Sequence, residues 1–259
     1  MASLTDISLE YTEAGEEALP AFVARHKEDP RSGVQKLVTK AQKRLAARQS
    51  ERERTHAMYA FEREYASLGL LVGIDEVGRG PLAGPVCAGA VVLPAEKELL
   101  YLNDSKKLSE KKREELYDVI TKEALAYATA FVSPARIDEI NILQATYEAM
   151  TQAVQTLVKN LGREVSALLI DAVHVPQLER YRQISIVKGD AKCASVAAAS
   201  IVAKVERDHL MEELDGVYPG YGFASNKGYG AAEHIAALKR LGPTPVHRRS
   251  FIHAFLPSP

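Results

Sequence analysis

Hydrophobic positions recur with two different periods along this chain, and the change of period divides it. Up to about residue 68 the apolar residues fall at helical spacing. Val34, Leu37, Val38, Ala41 and Leu45 form a narrow stripe, and Asp29-Pro30 ahead of them reads as a helix start, with the acid at the N-cap and the proline in the first turn. From about residue 69, short β-branched runs take over. Residues 70–75 and 86–93 read as two strands, separated by Gly78, Gly80, Pro81, Gly84 and Pro85. Residues 127–132, 166–171 and 184–187 read as three more. Helical periodicity covers 109–122, with Ser109 as N-cap, then 141–160 with Ile142, Ala145, Ala149, Ala153 and Leu157 in phase, and an Ala-rich segment over 191–214. A strand pair followed by alternating helices and strands implies an α/β domain whose mixed sheet is covered by helices on both faces. The expected organisation is a helical, charged N-terminal extension over 1–68 and an α/β domain with a C-terminal helical region over 69–259.

Two of the apolar runs end in the same dipeptide, Ile74-Asp75 and Ile170-Asp171, and a third acid, Asp190, follows the run at 184–187. A carboxylate buried beside such a run loses several kcal/mol of solvation unless something compensates. Glu76 follows Asp75 directly. The chain has six acidic doublets, but only Asp75-Glu76 follows an apolar run directly. Should Asp75, Glu76, Asp171 and Asp190 converge, their mutual repulsion would raise their proton affinity, and a pair of Mg²⁺ or Mn²⁺ ions would relieve it and hold a scissile phosphate. Taken one at a time, each acid is more readily read as a solvated strand end or a turn cap. No HExxH and no histidine pair at i, i+4 favours zinc.

Charge and composition narrow the setting. The 259 residues carry a formal net charge of −1, so attraction to nucleic acid must come from local patches. Lys36, Lys40, Lys43, Arg44, Arg48, Arg52 and Arg54 make one such patch, in a leader whose first 29 residues are acidic. Cys87 and Cys193 lack C-x-x-C spacing and read as reduced buried thiols, which fits a cytoplasmic protein. Nothing approaches ~18 continuous apolar residues, so no membrane partner is expected. Gly78-Arg79-Gly80 sits beside the acidic pair, where glycines allow close backbone approach and an arginine grips phosphate. The stretch 216–229 holds Tyr218, Tyr221, Phe223 and Tyr229 among four glycines.

Five ordered segments carry a family resemblance. The run from Ile74 to Pro85, IDEVGRGPLAGP, resembles the opening signature of bacterial ribonuclease HII. Asp104-Ser105-Lys106-Lys107-Leu108, then Lys188 to Lys192 leading into the run from Ala197 to Val205, then Asn226 to Tyr229 with His234, and finally His247 to Phe251, match further motifs of that family in order. The resemblance covers roughly residues 70–252. The leader is similar to the N-terminal extension of some Gram-positive members.

This resemblance implies a ribonuclease H-like fold, a mixed five-stranded sheet with helices on both faces. It implies an endoribonuclease that hydrolyses the RNA strand of RNA–DNA hybrids and cuts duplex DNA 5′ to an embedded ribonucleotide, leaving 3′-hydroxyl and 5′-phosphate ends. Carried over by motif, Asp75, Glu76, Asp171 and Asp190 are the catalytic and metal-binding acids for two divalent ions, Mg²⁺ or Mn²⁺. Gly78, Arg79 and Gly80 would meet the 2′-hydroxyl and adjacent phosphates. Tyr229 would pack on the following sugar and favour a deoxyribose there. Lys106, Lys107, Lys192, Lys227 and Arg249 are candidates for phosphate contacts. Nothing calls for more than a monomer. Three alternatives stay open: a ribonuclease HIII-like enzyme, which usually carries Gly-Lys-Gly and a larger sheet-containing N-terminal domain, a hybrid-binding protein without catalysis, and another enzyme of the same fold such as a junction-cleaving nuclease, which would leave Tyr229 and Arg79 without a role.

Overall fold

The computed structural model describes residues 2–255, and the chain separates there into one unit ending at His56 and a second beginning at Ala57. The first holds α1 (Leu4–Glu13), α2 (Leu19–His26) and most of α3 (Ser32–Met58). Ser3 and Asp6 close the start of α1 reciprocally, Asp6 N–H donating to Ser3 Oγ at 3.2 Å and Ser3 N–H to Asp6 Oδ2 at 2.9 Å. The expected stripe on α3 is buried, Val34, Val38 and Ala41 packing with Ile7, Leu19 and Phe22. Asp29 does not cap this helix. Its carboxylate accepts from the Arg31 backbone N–H at 3.0 Å and from the Arg31 guanidinium at 2.6 Å, and the helix begins only at Ser32. Arg48 and Arg54 pair with Glu16 and Glu51, while Lys36, Lys40, Lys43, Arg44 and Arg52 are exposed.

The second unit opens with the end of α3 and α4 (Ala60–Tyr65). Composition set the expected boundary after residue 68, but packing assigns residues 57–68 to the α/β unit. Met58 and Tyr59 join a core cluster with Leu102 and Ala198, and Tyr59 Oη accepts from the Leu99 N–H at 2.9 Å. Phe61, Tyr65 and Leu68 pack around Leu71, Ala167 and Leu169. Helical periodicity runs on through α4, so the sequence shows no break where the packing changes.

Five strands follow, β1 (Leu71–Val77), β2 (Val86–Val92), β3 (Ala126–Val132), β4 (Ala167–Asp171) and β5 (Arg182–Ile186), in the sheet order β3-β2-β1-β4-β5. The first two neighbours pair antiparallel, the last two parallel. Helix α5 (Glu110–Glu123) precedes β3, and α6 (Pro134–Leu161) links β3 to β4. Within α6, Asn141 has φ +68° and its Oδ1 accepts from the Leu143 and Gln144 N–H groups, so the long helix expected from residue 141 starts on an internal cap. After β5 come α7 (Gly189–Lys192) and α8 (Ala194–Val217), one helix in expectation but broken at extended Cys193. The chain finishes with α9 (Phe223–Asn226), α10 (Ala232–Leu241) and α11 (Arg249–Ile252). Among the described residues no helix is long and apolar enough to cross a membrane.

The period-2 alternation of the strands decides what each face meets. Val72, Ile74, Leu168 and Ile170 pack against Ala149, Met150, Ala153 and Leu157 of α6. Leu71 and Leu169 turn the other way, toward Val196 of α8. Helix α8 comes unusually near the sheet because glycines and alanines face it. A Cβ on Gly73 would lie 2.0 Å from the Ser195 carbonyl carbon, and one on Gly89 2.4 Å from the Ala199 carbonyl oxygen.

Candidate active site

The strand register brings the acids to one end of the sheet. Ile74 pairs with Ile170 across the parallel β1–β4 ladder, so Asp75 and Asp171 are neighbours. Both follow the alternation of Leu71-Gly73 and Ala167-Leu169 onto the face that α8 covers. Asp171 pairs in turn with Ile186 at the end of β5, and its Oδ1 accepts from the Gly189 N–H at 2.8 Å. That bond places the short helix α7, which carries Asp190, beside Asp171. The acids thus sit outside the carboxyl ends of parallel strands, where open α/β sheets bind ligands.

Electrostatics show the same convergence. Asp75 is 6% exposed, and burial raises its pKa well above the usual carboxylate range, with the Glu76 and Asp171 charges adding to the rise. The nearby Ser200 hydroxyl partly offsets this. Burial likewise raises Glu76, opposed by the Arg79 guanidinium, whose Nη1 lies 3.2 Å from Glu76 Oε1. Asp190 is raised by burial and then by Asp104 and Asp171, with Lys106 opposing. Asp104 is thus a further carboxylate beside the site, visible in the sequence only as part of its DSKKL run.

Among the described residues no three His, Cys, Asp or Glu side chains already have their ligand atoms gathered tightly enough to ring an ion. The acids share a neighbourhood and do not form a closed cage. Their chemistry nevertheless fits a hard divalent cation: several oxygen donors, one of them buried, with Arg79 and Lys106 opposing their charge.

Beside the acids, the Gly78-Arg79-Gly80 loop meets the Tyr229 ring. A Cβ on Gly80 would lie 3.9 Å from Tyr229 Cε1, and Tyr229 is 42% exposed. Gly78 has φ +84°, and a Cβ there would lie 2.2 Å from Arg207 Nε, so only glycine fits. Lys106, Lys107, Lys192 and Arg249 are exposed. Lys227 is not free in the way expected: its Nζ is held 2.5 Å from Glu212 Oε1.

The residues that hold these loops were not singled out from the sequence. Arg207 donates to the carbonyls of Ala83, Pro85 and Lys227, and Arg248 to those of Gly78, Arg79 and Gly84. Arg113 donates to the carbonyls of Ser105 and Leu108, and lies 3.8 Å from Asp208, which Lys204 also pairs. Ser200 Oγ is 2.9 Å from Ser105 Oγ. Ser200, Lys204, Arg207 and Asp208 recur along one side of α8, and that polar i, i+4, i+7, i+8 spacing was the available signal. Glu62 of α4 is another such residue, its Oε1 accepting from the Ser195 N–H (2.7 Å) and Oγ (2.8 Å) at the start of α8.

A mixed five-stranded sheet of this order, with acids at the ends of β1 and β4 and just after β5, has the ribonuclease H-like fold. The family model described as Ribonuclease HII matches residues 72–254, and that described as Ribonuclease HII N-terminal domain matches residues 3–66. The chain belongs to the ribonuclease HII family, endoribonucleases with ribonuclease H activity on RNA–DNA hybrids. It is 53% identical to the ribonuclease HII of Lachnoclostridium phytofermentans over 96% of each chain, and 48% identical to that of Bacillus subtilis over 91% of each. Among solved structures, the ribonuclease HII in the PCNA complex of Archaeoglobus fulgidus matches with a TM-score of 0.58 at 27% identity, covering 73% of this chain and 98% of that one.

Proposed function

We propose that this protein is a divalent-metal-dependent endoribonuclease that cuts the RNA strand of RNA–DNA hybrids and also cuts duplex DNA 5′ to an embedded ribonucleotide, leaving 3′-hydroxyl and 5′-phosphate ends. The observation that carries this reading is the meeting of two features at one end of the sheet: the neighbouring Asp75, Asp171 and Asp190 sites, and the Gly80 backbone against the exposed Tyr229 ring.

Asp75, Glu76, Asp171 and Asp190 would hold two ions, Mg²⁺ or Mn²⁺. When bound, these supply an activated water and neutralise charge on the leaving oxygen. The chain's own residues do the rest. Ser200 favours the charged form of the Asp75 carboxylate, and Gly189 N–H orients the carboxylate of Asp171. Arg248, by taking the Gly78 and Arg79 carbonyls, fixes the loop whose exposed Arg79 and Gly80 would meet the 2′-hydroxyl that distinguishes RNA from DNA. Tyr229 offers a ring face to the next sugar. Lys106 and Lys192 lie exposed at the site's edge and neutralise phosphates without reading sequence.

The test is incubation with duplex DNA bearing one ribonucleotide, with Mg²⁺ or Mn²⁺. Incision on the 5′ side of that ribonucleotide supports the proposal; none at any ion concentration defeats it. Tight, chelator-insensitive binding without products would instead mark a hybrid-binding protein. The helical first unit, matched as a ribonuclease HII N-terminal domain, speaks against the ribonuclease HIII alternative.

A further inference from the structure

Two buried histidines lie directly behind Tyr229. His234, on α10, and His247 are 0% and 2% exposed, and their Nε2 atoms are 3.1 Å apart. The outer nitrogen of each ring meets a backbone group of fixed character. His234 Nδ1 lies 2.7 Å from the Tyr229 carbonyl oxygen, which only accepts. His247 Nδ1 lies 3.0 Å from the Thr244 backbone nitrogen, whose N–H only donates, and 2.8 Å from the Thr244 hydroxyl, which can donate to it as well. These two ends determine every proton between them. His234 carries its hydrogen on Nδ1 and accepts at Nε2. His247 accepts at Nδ1 and donates from Nε2. One hydrogen therefore occupies the bond between the rings, and both imidazoles are neutral.

The surroundings enforce this state. Tyr221 and Phe223 stack at 5.4 Å, with Tyr221 5.0 Å from the His247 ring and Phe223 5.3 Å from the His234 ring. Burial in this box, reinforced by the neighbouring His234 and Arg249, pushes His247 down to about 4, and burial lowers His234 as well. The chain runs directly from this pair into the substrate loops. Ala83 bridges to His247, and Arg248 N–H donates to the Leu82 carbonyl at 2.9 Å.

We infer that His234 and His247 are positioning residues, a two-imidazole relay that holds the Tyr229 main chain by its carbonyl and so sets the ring's place beside Gly80. Neither touches the substrate; both act through Tyr229. The inference rests on the proposed role of Tyr229 at the sugar following a ribonucleotide, so its effect should be largest at an isolated ribonucleotide and smaller on a continuous hybrid.

Side-chain geometry supplies a discriminating pair of variants. The amide nitrogen of asparagine falls where histidine has Nδ1, and that of glutamine where it has Nε2. His234→Asn keeps the donor to Tyr229, whereas His234→Gln keeps only the link to His247. The His234→Gln change is expected to lower kcat/KM on the single-ribonucleotide duplex by about tenfold, the worth of one hydrogen bond. The His234→Asn change should restore most of that loss, and His234→Gln should have no further effect in a Tyr229→Ala background. Equal losses for both variants, or losses that add to that of Tyr229→Ala, would overturn the relay.

Should His234→Gln not fold, imidazole ¹⁵N spectra of the unmodified protein at neutral pH decide the matter. An Nδ1-protonated His234 with an Nε2-protonated His247 supports the relay; any other pair of tautomers overturns it. A wild-type enzyme that fails to cut the single-ribonucleotide duplex counts against the proposed function, whereas wild-type cutting with indifferent variants counts against the relay alone.

Discussion

Arg207 and Arg248 are both 0% exposed, and together their guanidinium groups donate to six backbone carbonyls on the loops around the acids. Burial, with Arg207 adding repulsion, brings Arg248 down to about 9, still charged at neutral pH. A planar fork of five donors suits this task; an ammonium, a point charge, does not. Methionine at either position would leave three carbonyls without their donor. Each such orphan costs on the order of 1 kcal/mol or more, so Arg207→Met and Arg248→Met should each lower the unfolding free energy by roughly 3 kcal/mol, with lysine rescuing little. Denaturant unfolding measures this directly, and a loss below about 1 kcal/mol would show that the loops hold themselves.

The raised proton affinities of Asp75, Glu76 and Asp190 make a prediction about pH. The metal-free folded protein keeps protons that the unfolded chain releases once pH passes the ordinary carboxylate range near about 4. Stability from this source is fully present below that range and is lost as pH rises through the raised folded values. Asp75→Asn should therefore abolish cleavage yet raise the metal-free Tm at pH 8, with the gain vanishing toward pH 4. Mg²⁺ or Mn²⁺ should raise the wild-type Tm more at pH 8 than at pH 5. Calorimetry with and without chelator tests both; a metal effect independent of pH would detach these acids from the ion site.

Gly78→Ala places a methyl 2.2 Å from Arg207 Nε at a backbone φ of +84°. Neither the loop nor the buried guanidinium has room to yield. Cleavage should fall by at least about a hundredfold, and stability by more than the roughly 1 kcal/mol expected from the left-handed backbone alone. Wild-type turnover in this variant would mean that the loop relaxes without consequence to the site.

Two truncations separate the leader from the catalytic unit. A chain starting at Ala57 retains Tyr59 and the Glu62 cap on α8; one starting at Gly69 loses both. The shorter chain should be less stable by about 2 kcal/mol or more, through a lost helix cap and lost aromatic packing. The longer one should keep its stability but bind substrate more weakly, with a shallower dependence on salt, if the exposed lysines of α3 meet phosphate. Unfolding curves and a salt series of Kd check the pair; identical stabilities would remove α4 from the catalytic unit.

Much of this molecule was legible from pattern. The five strands lie within two residues of their expected positions, because strands buried on both faces, as β1, β2 and β4 are, read as continuous apolar runs bounded by turn residues. Asp75, Asp171 and Asp190 were visible as acids at the ends of apolar runs. The N-cap of α3 was misread because Asp29 has a nearer partner in Arg31. The break at Cys193 was invisible because alanine-rich sequence is helical on either side of it.

The sequence by itself determined which residues form strands and helices and that hard-oxygen chemistry was available, since both follow from local periodicity and side-chain type. Only the tertiary structure decided that Asp75 and Asp171 adjoin, that Arg207 and Arg248 lie in the interior, and that His234 stands behind Tyr229. Such facts depend on contacts between segments up to 170 residues apart, as between Arg248 and Gly78. An arginine or histidine has the same letter whether it faces water or a buried carbonyl, and its environment exists only once the loops have closed around it.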